Sequence, residues 1–297
     1  DWSSDVCSSD LVLEESGLSV ERDFFLAYSP EREDPGNPDF RTSAIPKIVS
    51  ADGEGSRAAA DALYGQAVRE IVSVHSTRTG EAIKLTENIF RSVNIALVNE
   101  LKTIYSAMGI DVWEVIDGAK TKPFGFMAFY PGPGLGGHCI PIDPFYLSWK
   151  AREYEMNARF IELAGEVNTA MPGRVIERLA LALDQRSGVA LSRARVLVVG
   201  LAYKKNVDDI RESPALRLIE MLEDRQAHVD YHDPYVPVIP STREHGHLAG
   251  RESVAWDAEV LKSYDAVLIC TDHDDVAYDL LGQAASLIVD TRNVMQK

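Results

Sequence analysis

Short apolar runs separated by a helical pattern characterise the first quarter of the chain. Residues 23–28 (DFFLAY), 47–50 (KIVS) and 71–75 (IVSVH) are typical of strands, the first two of buried ones, and 53–66 is typical of a helix. Because strands that alternate with helices form parallel sheets, this part predicts a parallel α/β arrangement. It carries no glycine-rich dinucleotide fingerprint, so we expect only the last part of such a sheet.

Helical patterns dominate the middle of the chain. Residues 79–109 repeat apolar side chains with a helical period and end on a glycine, a common helix stop, and a short helix is expected at 112–118. A loop rich in Gly and Pro covers 130–144, and a second long helix is predicted over 145–169. Pro172 is expected to begin a further helix, because proline fits a first helical turn.

From about residue 194 the pattern returns to alternating strands and helices. Ser213 and Pro214 are typical of a helix start, since serine caps a helix and proline fits its first turn. The pattern predicts a complete second α/β domain of about 100 residues. Its expected strands are 195–200, 228–232, 266–270 and 286–290.

Residues 1–11 (DWSSDVCSSDL) show neither a helical nor a strand period. They repeat Ser-Ser-Asp around Val6 and Cys7 and resemble a translated sequencing adaptor. We therefore exclude them, with Cys7, from fold reasoning. We expect that Val12 is not a natural N-terminus and that residues are missing before it.

Composition and charge exclude several classes of function. With 45% hydrophobic residues the chain can bury a core, while a formal net charge of -16 disfavours general binding to nucleic acid or to an anionic membrane. No apolar run approaches the roughly eighteen residues that cross a bilayer, and the start does not resemble a secretory signal. Three scattered cysteines are too few for a disulfide framework or a zinc site, which favours a reducing cytoplasm.

The segment GPGLGGHCIPIDP surrounds Cys139, with Asp143 four residues later. Glycines such as Gly134 and Gly136 permit positive φ and let a backbone approach a ligand closely. A cysteine presented by such a loop is a candidate nucleophile, because the reactive thiolate needs access; a buried structural cysteine is the alternative. His138 is adjacent, but neighbouring side chains usually point apart, which favours a packing role for it.

Two further clusters precede this loop. Lys84 and Asn88 share one face of the long helix, and Arg91 follows about one turn later. Because burying an unpaired ammonium is costly, we expect this face to line a polar cavity; a solvated stripe is the alternative. Glu31 follows the predicted strand 23–28, at the end where parallel sheets place ligands, although strand ends also carry charges without a role.

The last domain contains VVGLAYKKNVDDIRESPA, in which a single Gly200 ends a strand. A dinucleotide fingerprint needs more glycines, so dinucleotide binding is disfavoured there. Lys204, Lys205 and Arg211 instead indicate a mononucleotide or a diphosphate held by side chains and a helix N-terminus. Arg292 follows the last strand and is expected at the same sheet edge. Surface lysines beside a switch point are the alternative.

Taken together and in this order, four motifs resemble the nucleotide-sugar 6-dehydrogenases. They are SPER-x-DPGN at 29–37, K-x-x-x-N at 84–88, GGHC-x-P-x-D at 136–143, and GLAYK…DxRESPA at 200–215. The resemblance covers nearly everything from Val12 to Lys297. His138 and the PGPGLGG lead-in resemble the branch that oxidises UDP-N-acetyl-hexosamines, the UDP-N-acetylglucosamine 6-dehydrogenases, rather than the UDP-glucose branch.

The resemblance implies an α/β fold in three parts. Residues 12–77 would be the remnant of an N-terminal Rossmann-like, NAD-binding domain, and 78–190 a central domain of long helices for dimerisation and catalysis. Residues 191–297 would be a complete C-terminal Rossmann-like domain that binds a UDP-sugar. NAD is the implied cofactor, but its glycine-rich binding unit and the segment with the family's hydrolytic threonine are absent from this sequence. A cytoplasmic homodimer joined through the helix after residue 145 is expected.

The resemblance also implies a mechanism, in which the sugar's C6 alcohol is oxidised to a carboxylate by two hydride transfers to two NAD. Cys139 would attack the intermediate aldehyde to give a thiohemiacetal and then a thioester. Lys84 would stabilise the oxyanion and Asn88 would hold that oxygen or a water. Glu31 and Asp143 would activate or position the hydrolytic water.

Further residues are implied for substrate binding: Lys204 and Arg292 would hold the UDP, and Tyr130 would close over it with the loop that contains Gly134 and Gly136. Arg91 is expected in the same substrate site. Because the NAD-binding unit is absent, we expect this polypeptide to be inactive, and a non-catalytic, dimeric UDP-sugar-binding module is the alternative. A cysteine hydrolase is disfavoured, because no positioned acid follows the Cys-His pair.

Overall fold

The computed structural model describes residues 9–33, 42–137 and 139–296. The chain forms two compact units, which are described separately. Unit 1 comprises Asp1–Phe90 and Asp143–Ala158, and unit 2 comprises Arg91–Ile142 and Arg159–Lys297. The boundaries predicted from the sequence at residues 12, 78 and 191 stay a prediction.

Helices and parallel strands alternate in the first and last parts of the described residues, and four consecutive α-helices lie between those parts. The α-helices are α1 (Ser9–Glu14), α2 (Glu54–Tyr64), α3 (Thr77–Met108), α4 (Val112–Ala119), α5 (Cys139–Arg152), α6 (Arg159–Ser187), α7 (Pro214–Asp224), α8 (Ala258–Lys262) and α9 (Tyr278–Ala284). The strands are β1 (Lys47–Ser50), β2 (Ile71–Val74), β3 (Arg195–Val199), β4 (His228–His232), β5 (Ala266–Ile269) and β6 (Ile288–Asp290). None of the described helices combines the length and apolar character that crossing a membrane would need.

Unit 1 contains a small parallel sheet formed by β1 and β2, with Lys47 opposite Ile71. This confirms the two predicted strands and the parallel arrangement, although β2 is partly exposed. The prediction of a buried strand at 23–28 is wrong. Tyr28 exchanges hydrogen bonds of 2.8 and 2.9 Å with Ser50 as an isolated antiparallel bridge, and Phe25 is 59% exposed. So narrow a sheet does not cover both faces of a neighbouring apolar segment.

The central helices confirm some boundaries and correct others. Helix α3 ends one residue before Gly109, as predicted. The predicted loop 130–144 is too long, because α5 already begins at Cys139. The single helix predicted over 145–169 is two helices, α5 and α6, separated by a turn in which Glu155 has φ +57°. Neither Gly nor Pro marks that break in the sequence.

Pro172 lies inside α6 and does not begin a helix, so that prediction is wrong. A proline within a helix removes one backbone hydrogen bond and normally costs about 3 kcal/mol. Pro172 is buried, and its ring lies close to Gly134, where a Cβ would be 3.5 Å from the Pro172 Cγ. The Pro172 ring therefore packs against the glycine loop (residues 132–137) at the position where the helix lacks a hydrogen bond.

The C-terminal sheet in unit 2 has the order β4-β3-β5-β6, and all its neighbours are parallel. Along β3, Val196 and Val198 pack into one core with α6 and α7, while Leu197 and Val199 pack into another with α8 and α9. Alternate side chains of a strand face opposite sides, so helices cover both faces of this sheet. The four predicted strands and the Ser213 cap of α7 are confirmed.

We expect Gly200→Ala to destabilise the protein far more than Gly250→Ala, although both glycines have φ +83°. At Gly250 nothing lies within 4 Å of an added Cβ, so only the left-handed backbone costs, about 1 kcal/mol. At Gly200 the Cβ would lie 2.3 Å from the Thr271 backbone oxygen, and we expect a loss above about 3 kcal/mol. Urea unfolding followed by circular dichroism measures both; equal losses would contradict the steric argument.

Candidate functional site

In unit 1 the polar face of α3 meets two other predicted site residues. Lys84 Nζ donates a 2.5 Å hydrogen bond to the Glu31 backbone oxygen, and Asn88 Nδ2 donates one of 2.7 Å to Asp143 Oδ2. Asn88 is only 5% exposed, so the solvated-stripe alternative does not describe it. The structure thus brings Lys84 to Glu31 and Asn88 to Asp143, while the roles predicted for these residues stay predictions.

The Glu31 carboxylate is held by backbone amides and faces solvent. It accepts 2.7 Å hydrogen bonds from the amides of Arg32 and Glu33, and its side chain is 65% exposed. Burial acts to raise the pKa of Glu31, but these two hydrogen bonds and the charges of Lys47 and Lys84 outweigh it and lower that pKa. The group is therefore an ionised acceptor at neutral pH, which suits it to orient a water.

Lys47 belongs to the same cluster and was not predicted from the sequence. Its side chain is 13% exposed, and its Nζ lies 3.7 Å from Glu31 Oε2 and donates to the Pro30 oxygen at 3.3 Å. From the sequence, Lys47 was expected only as the first residue of the strand 47–50. A charged residue opening an otherwise apolar run could have indicated it.

In unit 2 the glycine loop packs on the segment that contains GLAYK and RESPA. A Cβ on Gly136 would lie 2.6 Å from Tyr203 Cβ, and one on Gly137 (φ +83°) would lie 3.2 Å from the Tyr203 ring. The Gly137 amide also donates to the Arg211 oxygen at 3.1 Å. These glycines were expected to approach a ligand, whereas their close neighbours in the structure are other parts of the chain.

Arg292 lies at the carboxyl edge of the C-terminal sheet, where it was expected. Its Nε donates to the Cys270 oxygen at 2.7 Å, and a Cβ on Gly132 would lie 2.8 Å from its Nη1. Burial lowers the pKa of Arg292, opposed by the negative charges of Asp272 and Asp290. A partly desolvated guanidinium beside a glycine backbone is suited to hold a phosphate.

Three other predicted substrate residues are found in different settings. Lys204 is partly buried, with its Nζ 5.9 Å from the centre of the Tyr203 ring. Tyr130 stacks on Trp113 at 5.4 Å, and its hydroxyl donates to Asp117 at 2.6 Å and accepts from Lys120 at 3.0 Å. Arg91 is exposed on α3. Closure of Tyr130 over a substrate would have to break those contacts.

The predicted nucleophile Cys139 begins α5, one helical turn before Asp143. Its side chain lies outside the described residues, as do His138, Cys7 and residues 34–37 of the SPER-x-DPGN motif. Cys270 is fully buried, and burial raises its pKa to about 12, which makes it an unreactive thiol. Within the described residues, no group of His, Cys, Asp and Glu could hold a metal ion.

A buried pair of amides, not predicted from the sequence, holds the glycine loop. The Gly132 amide donates to Asn99 Oδ1 at 3.0 Å, and Asn99 Nδ2 donates to Asn168 Oδ1 at 3.1 Å. Asn168 Nδ2 in turn donates to the Ser92 oxygen at 3.1 Å. Asn99 and Asn168 lie at apolar, core-facing positions of their helices, and this could have indicated the pair, since buried amides need partners.

Comparison with known families decides the classification. Residues 78–170 match the UDP-glucose/GDP-mannose dehydrogenase family, central domain, and residues 197–297 match the UDP binding domain of the same family. The chain belongs to the UDP-glucose/GDP-mannose dehydrogenase family. This confirms the resemblance drawn from the four motifs.

Two curated dehydrogenases are similar to this chain in sequence. It is 38% identical over 241 residues to a UDP-N-acetyl-D-glucosamine 6-dehydrogenase of Pseudomonas aeruginosa, covering 79% of this chain and 56% of that protein. It is 33% identical over 287 residues to a UDP-N-acetyl-D-mannosamine dehydrogenase of Pyrococcus horikoshii, covering 95% and 64%. The dehydrogenase-family chain thus spans less than two thirds of the length of these relatives.

Solved structures confirm the α/β fold. A UDP-D-ManNAc dehydrogenase from Pyrococcus horikoshii superposes with a TM-score of 0.84 at 32% identity, covering 97% of this chain and 66% of that one. A UDP-N-acetyl-mannosamine dehydrogenase from Staphylococcus aureus gives 0.76 at 30% identity, covering 99% and 66%. The long central helices and the C-terminal parallel sheet therefore belong to an established architecture.

We expect Asn168→Ala to lower the free energy of unfolding by about 1–3 kcal/mol, because it leaves the buried Asn99 Nδ2 without its acceptor. Gln185→Ala is the matched control, since it removes an exposed amide from the same helix and should change stability by less than about 0.5 kcal/mol. Urea unfolding of the three proteins provides the comparison. A loss in Asn168→Ala no larger than that in the control would show that the amide pair is not a stabilising link.

Proposed function

We propose that this chain is the substrate-binding part of an NAD-dependent nucleotide-sugar 6-dehydrogenase that acts on a UDP-N-acetyl-hexosamine. One observation carries the proposal: the glycine loop lies against Arg292 and Tyr203 of the family's UDP binding domain. Arg292 and Lys204 are cations next to a backbone without side chains, which suits a diphosphate. The two curated relatives act on UDP-N-acetyl-hexosamines, which favours that substrate class.

The residues present do not fit NAD. The G-x-G-x-x-G spacing at 132–137 follows no strand, so it lacks the strand-turn-helix context of a dinucleotide fingerprint. Its glycines also contact Arg292, Pro214 and Tyr203. We therefore assign neither of the two oxidations to residues of this chain, and propose that the polypeptide alone does not turn over.

For the covalent steps we propose the following roles. The Cys139 thiolate forms a bond to the C6 aldehyde carbon, and the carbonyl electron pair moves to oxygen, where Lys84 stabilises the negative charge. In the hydrolysis of the thioester, a water oriented by Glu31 and Asp143 bonds to C6, the thiolate leaves, and the water proton passes to a carboxylate. Asn88 supports this arrangement through its hydrogen bond to Asp143.

We further propose a homodimer joined through the helices after residue 145, as predicted from the sequence. Large apolar side chains stand exposed at helical spacing on both helices: Phe145 (45%) and Trp149 (50%) on α5, and Phe160 (79%) and Leu163 (56%) on α6. Each helix thus offers large apolar side chains that a second copy of the chain could bury. With this function, the proposed enzyme would act in the cytoplasm and supply a sugar acid for polysaccharide synthesis.

A non-catalytic, dimeric module that binds UDP-sugars is the second candidate. It is favoured by the lack of a dinucleotide fingerprint in the 297 residues, combined with the UDP binding domain at 197–297. The two candidates share the same nucleotide site. They differ in whether the thiol of Cys139 reacts.

Calorimetry with UDP-N-acetylglucosamine and no NAD tests the nucleotide site. We expect binding, and a loss of about ten- to a hundredfold in Arg292→Gln, because a charged hydrogen bond contributes about 1.5–3 kcal/mol. Arg195→Gln is the control: Arg195 begins β3 and lies at the amino end of the same sheet, paired with Asp230. Equal affinity in wild type and Arg292→Gln would contradict the site. Adding NAD should give no NADH absorbance, and its appearance would overturn the proposed inactivity.

Alkylation with iodoacetamide tests the nucleophile. At pH 7 we expect Cys139 to react and Cys270 to stay unmodified, because the Cys270 thiol is buried with its pKa raised to about 12. Peptide mass spectrometry distinguishes the two sites, so Cys270 serves as an internal control. Saturating UDP-N-acetylglucosamine should slow labelling of Cys139. An unreactive Cys139 would favour the non-catalytic module.

A further inference from the structure

A carboxylate and an imidazole are buried together at the carboxyl edge of the C-terminal sheet. Asp233 and His273 are 2% and 0% exposed, and His273 Nε2 lies 3.0 Å from Asp233 Oδ2. The two residues follow β4 and β5, the two strands that flank β3 in the sheet. Burying ionisable groups is costly unless their polar atoms are satisfied, so both side chains need hydrogen-bond partners within the protein.

Asp233 is the centre of a hydrogen-bond network with the backbone. Its Oδ2 accepts from the amides of Leu201 at 2.6 Å and Ala202 at 3.2 Å, and its Oδ1 accepts from those of Tyr235 at 2.8 Å and Val236 at 3.1 Å. Burial acts to raise the pKa of Asp233, but the hydrogen bond from His273 and those from the backbone amides lower it overall. The carboxylate is therefore ionised and fully occupied.

His273 extends the network to Asn206, at the other end of the loop that begins at Leu201. Its Nδ1 accepts a 2.9 Å hydrogen bond from the Asn206 amide, so the ring proton lies on Nε2 and is donated to Asp233. The ring also packs on Tyr235, with centroids 5.0 Å apart. The imidazole thus connects the Asn206 backbone to the carboxylate.

The pair therefore holds both ends of the loop 201–206. Asp233 binds its first two amides, His273 binds its last, and Thr271 Oγ1 donates to the Ala202 oxygen at 2.6 Å. Between these anchors lie Tyr203, which contacts the glycine loop, and Lys204. The loop that carries the proposed phosphate cation is fixed at both ends by this pair, and the Tyr203 amide adds a 3.0 Å hydrogen bond to the Asp209 oxygen between them.

We infer that Asp233 and His273 are positioning residues, which fix loop 201–206 so that Lys204 binds the diphosphate of the nucleotide. This inference rests on the proposed UDP site. Neither residue touches the nucleotide; each acts through the backbone of the loop. A pair that only stabilised the fold would change the unfolding midpoint without acting through Lys204.

A double-mutant cycle on UDP affinity, measured by calorimetry, tests this. We expect His273→Ala to weaken UDP binding about tenfold, and Lys204→Gln to weaken it by a similar factor. If His273 acts through Lys204, the double variant binds no more than about twofold more weakly than Lys204→Gln alone. Multiplying factors, about a hundredfold in the double variant, would overturn the inference, as would unchanged affinity in His273→Ala.

Matched controls separate positioning from stability. His245→Ala removes another histidine-carboxylate contact in the same unit, at 2.7 Å from Glu220, and should leave UDP affinity unchanged. Should His273→Ala fail to fold, His273→Asn replaces it. The Oδ1 of the new side chain can still accept from the Asn206 amide, while the donor at the Nε2 position, which reaches Asp233, is lost. Full UDP affinity in that variant would show that the hydrogen bond to Asp233 does not position the loop. Failure of the wild type to bind UDP would instead refute the proposed function.

Discussion

The close approach of two backbone segments, at Gly136 and Gly137 on one side and Tyr203 on the other, is the contact on which the C-terminal site depends. A side chain at Gly136 would overlap the Tyr203 Cβ, which cannot swing away as the end of a flexible chain could. Interiors are packed closely enough that such an overlap forces one segment to move. Two motifs far apart in the sequence therefore form one surface, and Arg292 lies against the same loop at Gly132.

Buried polar groups hold this surface, and each one is matched to a partner. The amides of Asn99 and Asn168 fix Gly132, and the Asp233 carboxylate with His273 fixes the loop before Lys204. Such networks stabilise a single arrangement because any displaced member leaves a buried group unpaired. The proposed ligand residues Lys204 and Arg292 can then stay partly open to solvent, since the buried groups next to them set their position.

The polar cluster of unit 1 depends instead on the spacing of side chains along one helix. Lys84 and Asn88 are one turn apart on α3, and each reaches a partner that the chain supplies from elsewhere: the Glu31 backbone and the Asp143 carboxylate. Backbone amides keep Glu31 ionised, so a negative charge stays close to the lysine.

The sequence by itself determined the elements whose causes are local. A continuous apolar run gave β3 its two buried faces, Ser213 and Pro214 began α7, and four spaced motifs indicated the family. Only the tertiary structure decided that 23–28 is no strand, that α5 and α6 are separate, that Pro172 lies within a helix, and that Asp233 meets His273. These outcomes depend on neighbours distant in sequence, because burial and hydrogen-bond partners are properties of packing, which a period of two or 3.6 residues does not encode.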